Sequence, residues 1–100
     1  MAREVPAAFA REQGCTETEW LRSLSGAVGG RALVLPAPGQ ASIAIGTGRL
    51  HLAWQVLAPR RIALLRLPRM AVSYRFEAVD GAARDEFMRT FDLVMHRGGG

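Results

Sequence analysis

Apolar residues recur along this chain with two different periods, and the points where the period changes divide it into segments. Trp20, Leu21, Leu24 and Val28 fall on one stripe of a 3.6-residue repeat, which predicts a helix that Gly29-Gly30 stops. Its start is marked by Thr16 with Glu19 three residues later, a capping box in which each side chain satisfies a free amide. Cys15 before the cap and Trp20 in the fourth helical position suit a hydrophobic staple. From Arg31 to Phe76 the period is two. ALVL and SIAI read as short strands separated by PAPGQ, and Gly46-Thr47-Gly48 turns into RLHLAWQVL. RRIALLRL follows Ala58-Pro59, a turn is expected at Pro68, and RMAVSYRFEAV comes last, with Met70, Val72, Tyr74 and Phe76 on one face. Asp80 then caps a final helix whose apolar face is Phe87, Met88, Phe91, Val94 and Met95. On that helix Asp85 and Arg89, and Asp92 and His96, stand four apart with the acid first, the favourable order for pairing.

Strands this close in sequence, joined by short turns, make an antiparallel meander. The expected fold is therefore α+β: an N-terminal capped helix, a meander of about five strands, and a C-terminal helix packed on one sheet face. Residues 1–100 read as a single globular domain without linker or repeat. Residues 1–14 are expected to form an arm or a short helix, with Pro6 at a first helical position, Phe9 as an anchor and Gly14 as the stop. RRIALLRL is apolar on both faces, and such a strand is normally covered on both. Helices cover one; the N-terminal arm, a ligand or a second subunit is expected on the other, which makes a symmetric dimer a reasonable expectation.

The last residues, RTFDLVMHRGGG, admit two readings. Thr90, Asp92 and Val94 alternate with Phe91, Leu93 and Met95 ahead of Gly99-Gly100, and this resembles the end of a ubiquitin-like sulfur carrier or modifier. The resemblance implies a free diglycine whose carboxylate is adenylated. It covers a dozen residues, and the element order departs from the β-grasp order of two strands, a helix, then more strands. The helical period from Ala83 through Met95 also runs straight into the tail, where residues 98–100 serve as a glycine stop.

Composition adds a class and a charge map. One hundred residues, 49% apolar and 22% charged, are enough for one core and too apolar for a disordered chain. All 13 basic residues are arginine, and lysine and asparagine, both encoded by A-rich codons, are absent. Arginine here reflects codon composition as much as a choice for phosphate. Cys15 alone excludes a disulfide framework. Charges at Arg3, Glu4, Arg11 and Glu12 leave no secretory hydrophobic region, so a soluble, cytoplasmic protein with no membrane partner is expected. The net charge of +4 is unevenly spread: between Trp20 and Phe76 there is no acid but eight arginines, Arg22, Arg31, Arg49, Arg60, Arg61, Arg66, Arg69 and Arg75. Residues 1–19 carry two arginines against four acids and residues 77–100 three against five, so each flank is −2.

Such a basic sheet faces acidic helices in its own molecule, meets an acidic partner or a second copy, or tracks a nucleic-acid backbone. Base stacking needs exposed aromatic residues, whereas Trp54, Tyr74 and Phe76 fall on the same faces as Leu50, Leu52, Met70 and Val72, where burial is expected, so weak backbone binding is the most that nucleic acid should obtain. His51 and His96 lack neighbours at ligand spacing; no metal or other cofactor is expected. Glu17/Glu19 and Asp85-Glu86 lie in first helical turns, where acids complement the dipole, and no nucleophile elbow or P-loop occurs. A non-enzymatic accessory or interaction domain is thus expected. Its anion- and partner-binding residues are Arg49, Arg60, Arg61, Arg66, Arg69 and Arg75, directed at an acidic protein partner or at the acidic helices of a second copy. The alternatives are non-specific nucleic-acid binding and a small-molecule cup between helices and sheet.

Overall fold

The computed structural model describes residues 4–97. Its elements run β1 (Ala8–Gln13), α1 (Glu17–Ala27), β2 (Leu33–Val34), β3 (Gln40–Ile45), β4 (Gly48–Ile62), β5 (Leu65–Glu77) and α2 (Gly81–Arg97). The five strands form one antiparallel sheet in the order β1-β5-β4-β3-β2. The expected α+β architecture holds, with consecutive strands paired from β2 to β5. Both helices lie on the face that carries Leu50, Leu52, Met70, Val72, Tyr74 and Phe76, and the core fills the space between. Trp20 meets Trp54 and Phe91 edge-on, with ring centroids 5.6 and 6.3 Å apart, and Phe87 and Phe91 reach Phe76 and Tyr74 in the same manner.

The capping box at Thr16 is present in both directions: the Glu19 amide donates to Thr16 Oγ1 and the Thr16 amide to Glu19 Oε1. Cys15 and Trp20 are both buried, as the staple requires. Asp80 caps α2 by accepting the Ala83 amide at 2.8 Å. The helix runs on to Arg97, so RTFDLVMHR is helical; residues 98–100, which carry the glycine tail and its carrier-like reading, lie outside the described residues.

Three local expectations are corrected. Within the segment expected to be an arm or a short helix, residues 8–13 instead pair with β5 as an edge strand, in a register of Phe9 opposite Tyr74. Tertiary packing overrides the helix preference of AFAREQ here. Phe9 stacks on Tyr74 with centroids 4.6 Å apart, and Arg11 sits over both rings while forking onto Asp92 of α2. That fork also displaces the expected Asp92–His96 pair, and Asp85 likewise turns from Arg89 to accept the Val5 amide at 2.6 Å. The third correction concerns RRIALLRL. It is not one strand followed by a turn at Pro68; the turn falls in its middle, at Ala63-Leu64, with Ala63 at φ 54°. Pro59 and Pro68 lie inside a single long hairpin, at a bulge where Ala58 and Pro59 oppose Pro68 alone.

Two expectations about stability follow. A methyl group at Gly48 would run into the carbonyls of Glu77 and Ala78, whereas at Gly14 it would meet open space. Gly48→Ala should cost about 2–3 kcal/mol in denaturant unfolding, and Gly14→Ala should stay within about 0.5 kcal/mol of the parent. Tyr74 is the sole tyrosine, and burial pushes its hydroxyl up to about 12. Its ultraviolet titration should therefore centre near 12 in the folded protein, against about 10 when unfolded. Because the folded state holds the proton longer, this contribution to stability is intact below pH 10 and declines as the pH rises toward 12.

Candidate docking surfaces on the hairpin arm and the open sheet face

Strands β4 and β5 outlast their neighbours. β3 pairs with β4 only as far as Ala53, and β1 with β5 only between Met70 and Arg75. Beyond those points the hairpin continues as a two-stranded arm whose edges are unpaired among the described residues. A strand of 15 residues spans about 50 Å at 3.3 Å per residue, which accounts for the 46 Å long axis of the molecule. Pro59 and Pro68 stand in the arm, where a missing N–H discourages unwanted strand pairing.

Cross-strand partners share a face, so the register sorts the arm's side chains. Arg60 opposes Leu67 and Ile62 opposes Leu65 on one face, and Arg61 opposes Arg66 on the other. Leu64 at the apex is completely exposed, and Ile62, Leu65 and Leu67 are exposed as well. From apex to base the arm therefore presents an aliphatic tip, then a pair of arginines facing each other. Like charges directly opposite are unfavourable within the arm itself, and neither arginine makes an ion pair among the described residues. From Val56 to Pro68 arginine is the one polar residue type.

At the base the charges are already matched. Arg69 donates to Glu12 at 2.9 Å and, through Nε, to the bulge carbonyl of Ala58, while Arg60 approaches the same carboxylate at 3.5 Å. The structure thus divides the six predicted arginines into three groups. Arg61 and Arg66, with Arg60 partly engaged, belong to the exposed arm. Arg69 holds the arm's base to β1. Arg49 and Arg75 lie on the sheet face that no helix covers.

That uncovered face is also a place of interest. Its cross-strand rows are Ala8–Arg75–His51–Ser42 and Ala10–Ser73–Ala53–Gln40, so small side chains floor a shallow trough of about 640 Å³. The expected small-molecule cup between helices and sheet is where the aromatic core sits; the open space is on the opposite side. His51 bonds Glu77 at 2.7 Å, Arg49 donates to Ser42, and Arg75 makes no ion pair among the described residues.

A third feature was not visible as a motif. Along the β4 edge where β3 ends, Leu21 of α1, Leu35, Pro36 and Pro38 of the β2–β3 loop, and Trp54 line a groove of about 460 Å³. Glu17 forms its acidic rim, accepting the Trp54 indole N–H at 2.7 Å. Only the fold brings these segments together.

Cys15 is buried beside Glu19, and burial raises its thiol, which suits a packing role. Among the described residues there is no group of three metal-ligating side chains and no helix long and apolar enough to cross a membrane. No family model and no curated protein matches the sequence.

The His51 hydrogen bond and charge, aided by Arg75 and Arg49, hold the Glu77 carboxyl below its ordinary range. Any stability this carboxylate lends is present above its unfolded value and fades as the pH falls through the lowered one. His51→Ala should move the Glu77 side-chain carboxyl titration upward in NMR, and an unchanged midpoint would assign the shift to the arginines instead.

Proposed function

We propose that the chain is a small non-enzymatic interaction domain of the cytoplasm, which docks an acidic protein surface through its arginine- and leucine-bearing arm. The observation that supports this reading most is the opposed pair Arg61–Arg66 directly behind an exposed aliphatic tip. An arm of this kind needs a partner that buries apolar surface and supplies carboxylates together. Aliphatic side chains without an aromatic platform suit protein better than nucleic acid, because single-strand recognition draws on stacking. The segregation of charge along the sequence has the same sense, since all eight central arginines lie between two acidic flanks.

The trough on the open sheet face favours a second reading, a site for a small anion at Arg75 and His51. One set of measurements separates the readings. The docking reading expects retention on immobilised poly-glutamate that Arg61→Glu with Arg66→Glu abolishes, while Arg75→Ala leaves it intact. Loss with Arg75→Ala alone would transfer the function to the trough. Equal retention on duplex DNA, falling steeply as salt rises, would replace the acidic partner with a nucleic-acid backbone.

A further inference from the structure

Seven of the exposed large aliphatic residues are concentrated in two places. Ile62, Leu64, Leu65 and Leu67 form the tip of the arm. Leu21 and Leu35 line the groove at its base, and Val56 carries the face of Trp54 from that groove onto the arm. The two patches are complementary in form and in charge. The tip is convex and backed by Arg61 and Arg66; the groove is concave and edged by Glu17. They cannot meet within one chain. Leu64 stands nine residues along the ribbon from Gln55, about 30 Å at the strand rise, and the paired strands keep the ribbon extended.

We propose that the partner of the arm is a second copy of this chain. Two arms lie side by side in opposite directions, and each tip seats in the other copy's groove. The two-fold axis passes near the middle of the overlapping arms, so both contacts are made and the assembly closes as a dimer. Leu64 and Leu65 enter between Leu21, Leu35 and Trp54, and Arg61 and Arg66 meet Glu17 of the other copy. Pro59 stands on the β4 edge, so side chains carry the contact and backbone pairing is limited. A two-stranded tip alone offers a small area against the roughly 800 Å² per partner of a specific interface. Using tip, arm flank and groove twice over supplies more. This inference rests on the docking reading above and gives its acidic partner an identity.

The test is molar mass by light scattering, from low to tens of micromolar protein, with circular dichroism as the check on folding. The parent protein should be a dimer. Leu64→Asp with Leu65→Asp should weaken association at least about tenfold, as removal of a central apolar anchor does. Arg61→Glu with Arg66→Glu should weaken it too, and adding Glu17→Arg to that variant should restore the dimer. Restoration is a result that a merely destabilised arm would not give. A dimer insensitive to the tip and arginine replacements would overturn the proposal. So would a parent protein that stays monomeric throughout. Retention of such a monomer on poly-glutamate through Arg61 and Arg66 would overturn self-pairing alone and leave the docking reading standing. A monomer that is not retained would remove both.

Discussion

The pairing of β4 with β5 is the constraint from which the rest of the molecule follows. These two strands are the sheet's centre, and they are longer than anything beside them. Where they have neighbours, their alternation gives one face of Leu50, Leu52, Val72, Tyr74 and Phe76, which two helices must cover. Where the neighbours stop, the same alternation has nothing to pack against, and its apolar residues stand in water. One hairpin therefore builds both the core and the exposed arm. The bulge at Ala58-Pro59 marks the boundary, and Glu12 with Arg69 ties that boundary to the edge strand.

The edge strand does more than extend the sheet. Phe9 stacks on Tyr74, and Arg11 lies over both rings with its charge on Asp92, so β1, β5 and α2 are held at one point. Each of those ionic side chains is more than a third exposed, so the salt bridge itself is worth about 1 kcal/mol or less. The stacked rings and the buried tyrosine contribute more. Tyr74 gathers Phe9 on one side and Phe91 on another, which is why its hydroxyl is so reluctant to ionise.

Much of this was legible in the sequence where a signal was local. The capping box at Thr16, the stripe Trp20–Leu24–Val28 and the alternation Met70–Val72–Tyr74–Phe76 all correspond to what the backbone does. Structure departs from the local signal where a segment's fate depends on distant partners. AFAREQ alternates for six residues only, and nothing nearby shows that Phe9 will find Tyr74 across 65 positions. A turn is expected at Pro68 because proline usually ends a strand, yet Pro68 stands opposite the bulge formed by Ala58 and Pro59. RRIALLRL is apolar on both faces in sequence and in structure, but its division by Ala63-Leu64 is visible only in the register. The arginine set shows the same limit. All six lie in the basic middle of the chain, and only the fold distinguishes Arg69, which braces the arm, from Arg61 and Arg66, which make no ion pair among the described residues. The groove of Leu21, Leu35 and Trp54 has no sequence signature, since three segments build it.

An apolar, cationic tip and an apolar, acid-edged groove lie at opposite ends of the two-stranded arm. The proposed pairing of two chains satisfies both without rearranging the core. It also accounts for an arm that a lone molecule would have little reason to expose. The most direct measurement is an isotope-filtered NMR experiment on an equal mixture of labelled and unlabelled protein, reading magnetisation transfer between chains. Cross-peaks from the Leu64 and Leu65 methyl groups to the Trp54 indole and the Leu35 methyls are the predicted result. Their absence, or intermolecular contacts confined to the open sheet face, would contradict it.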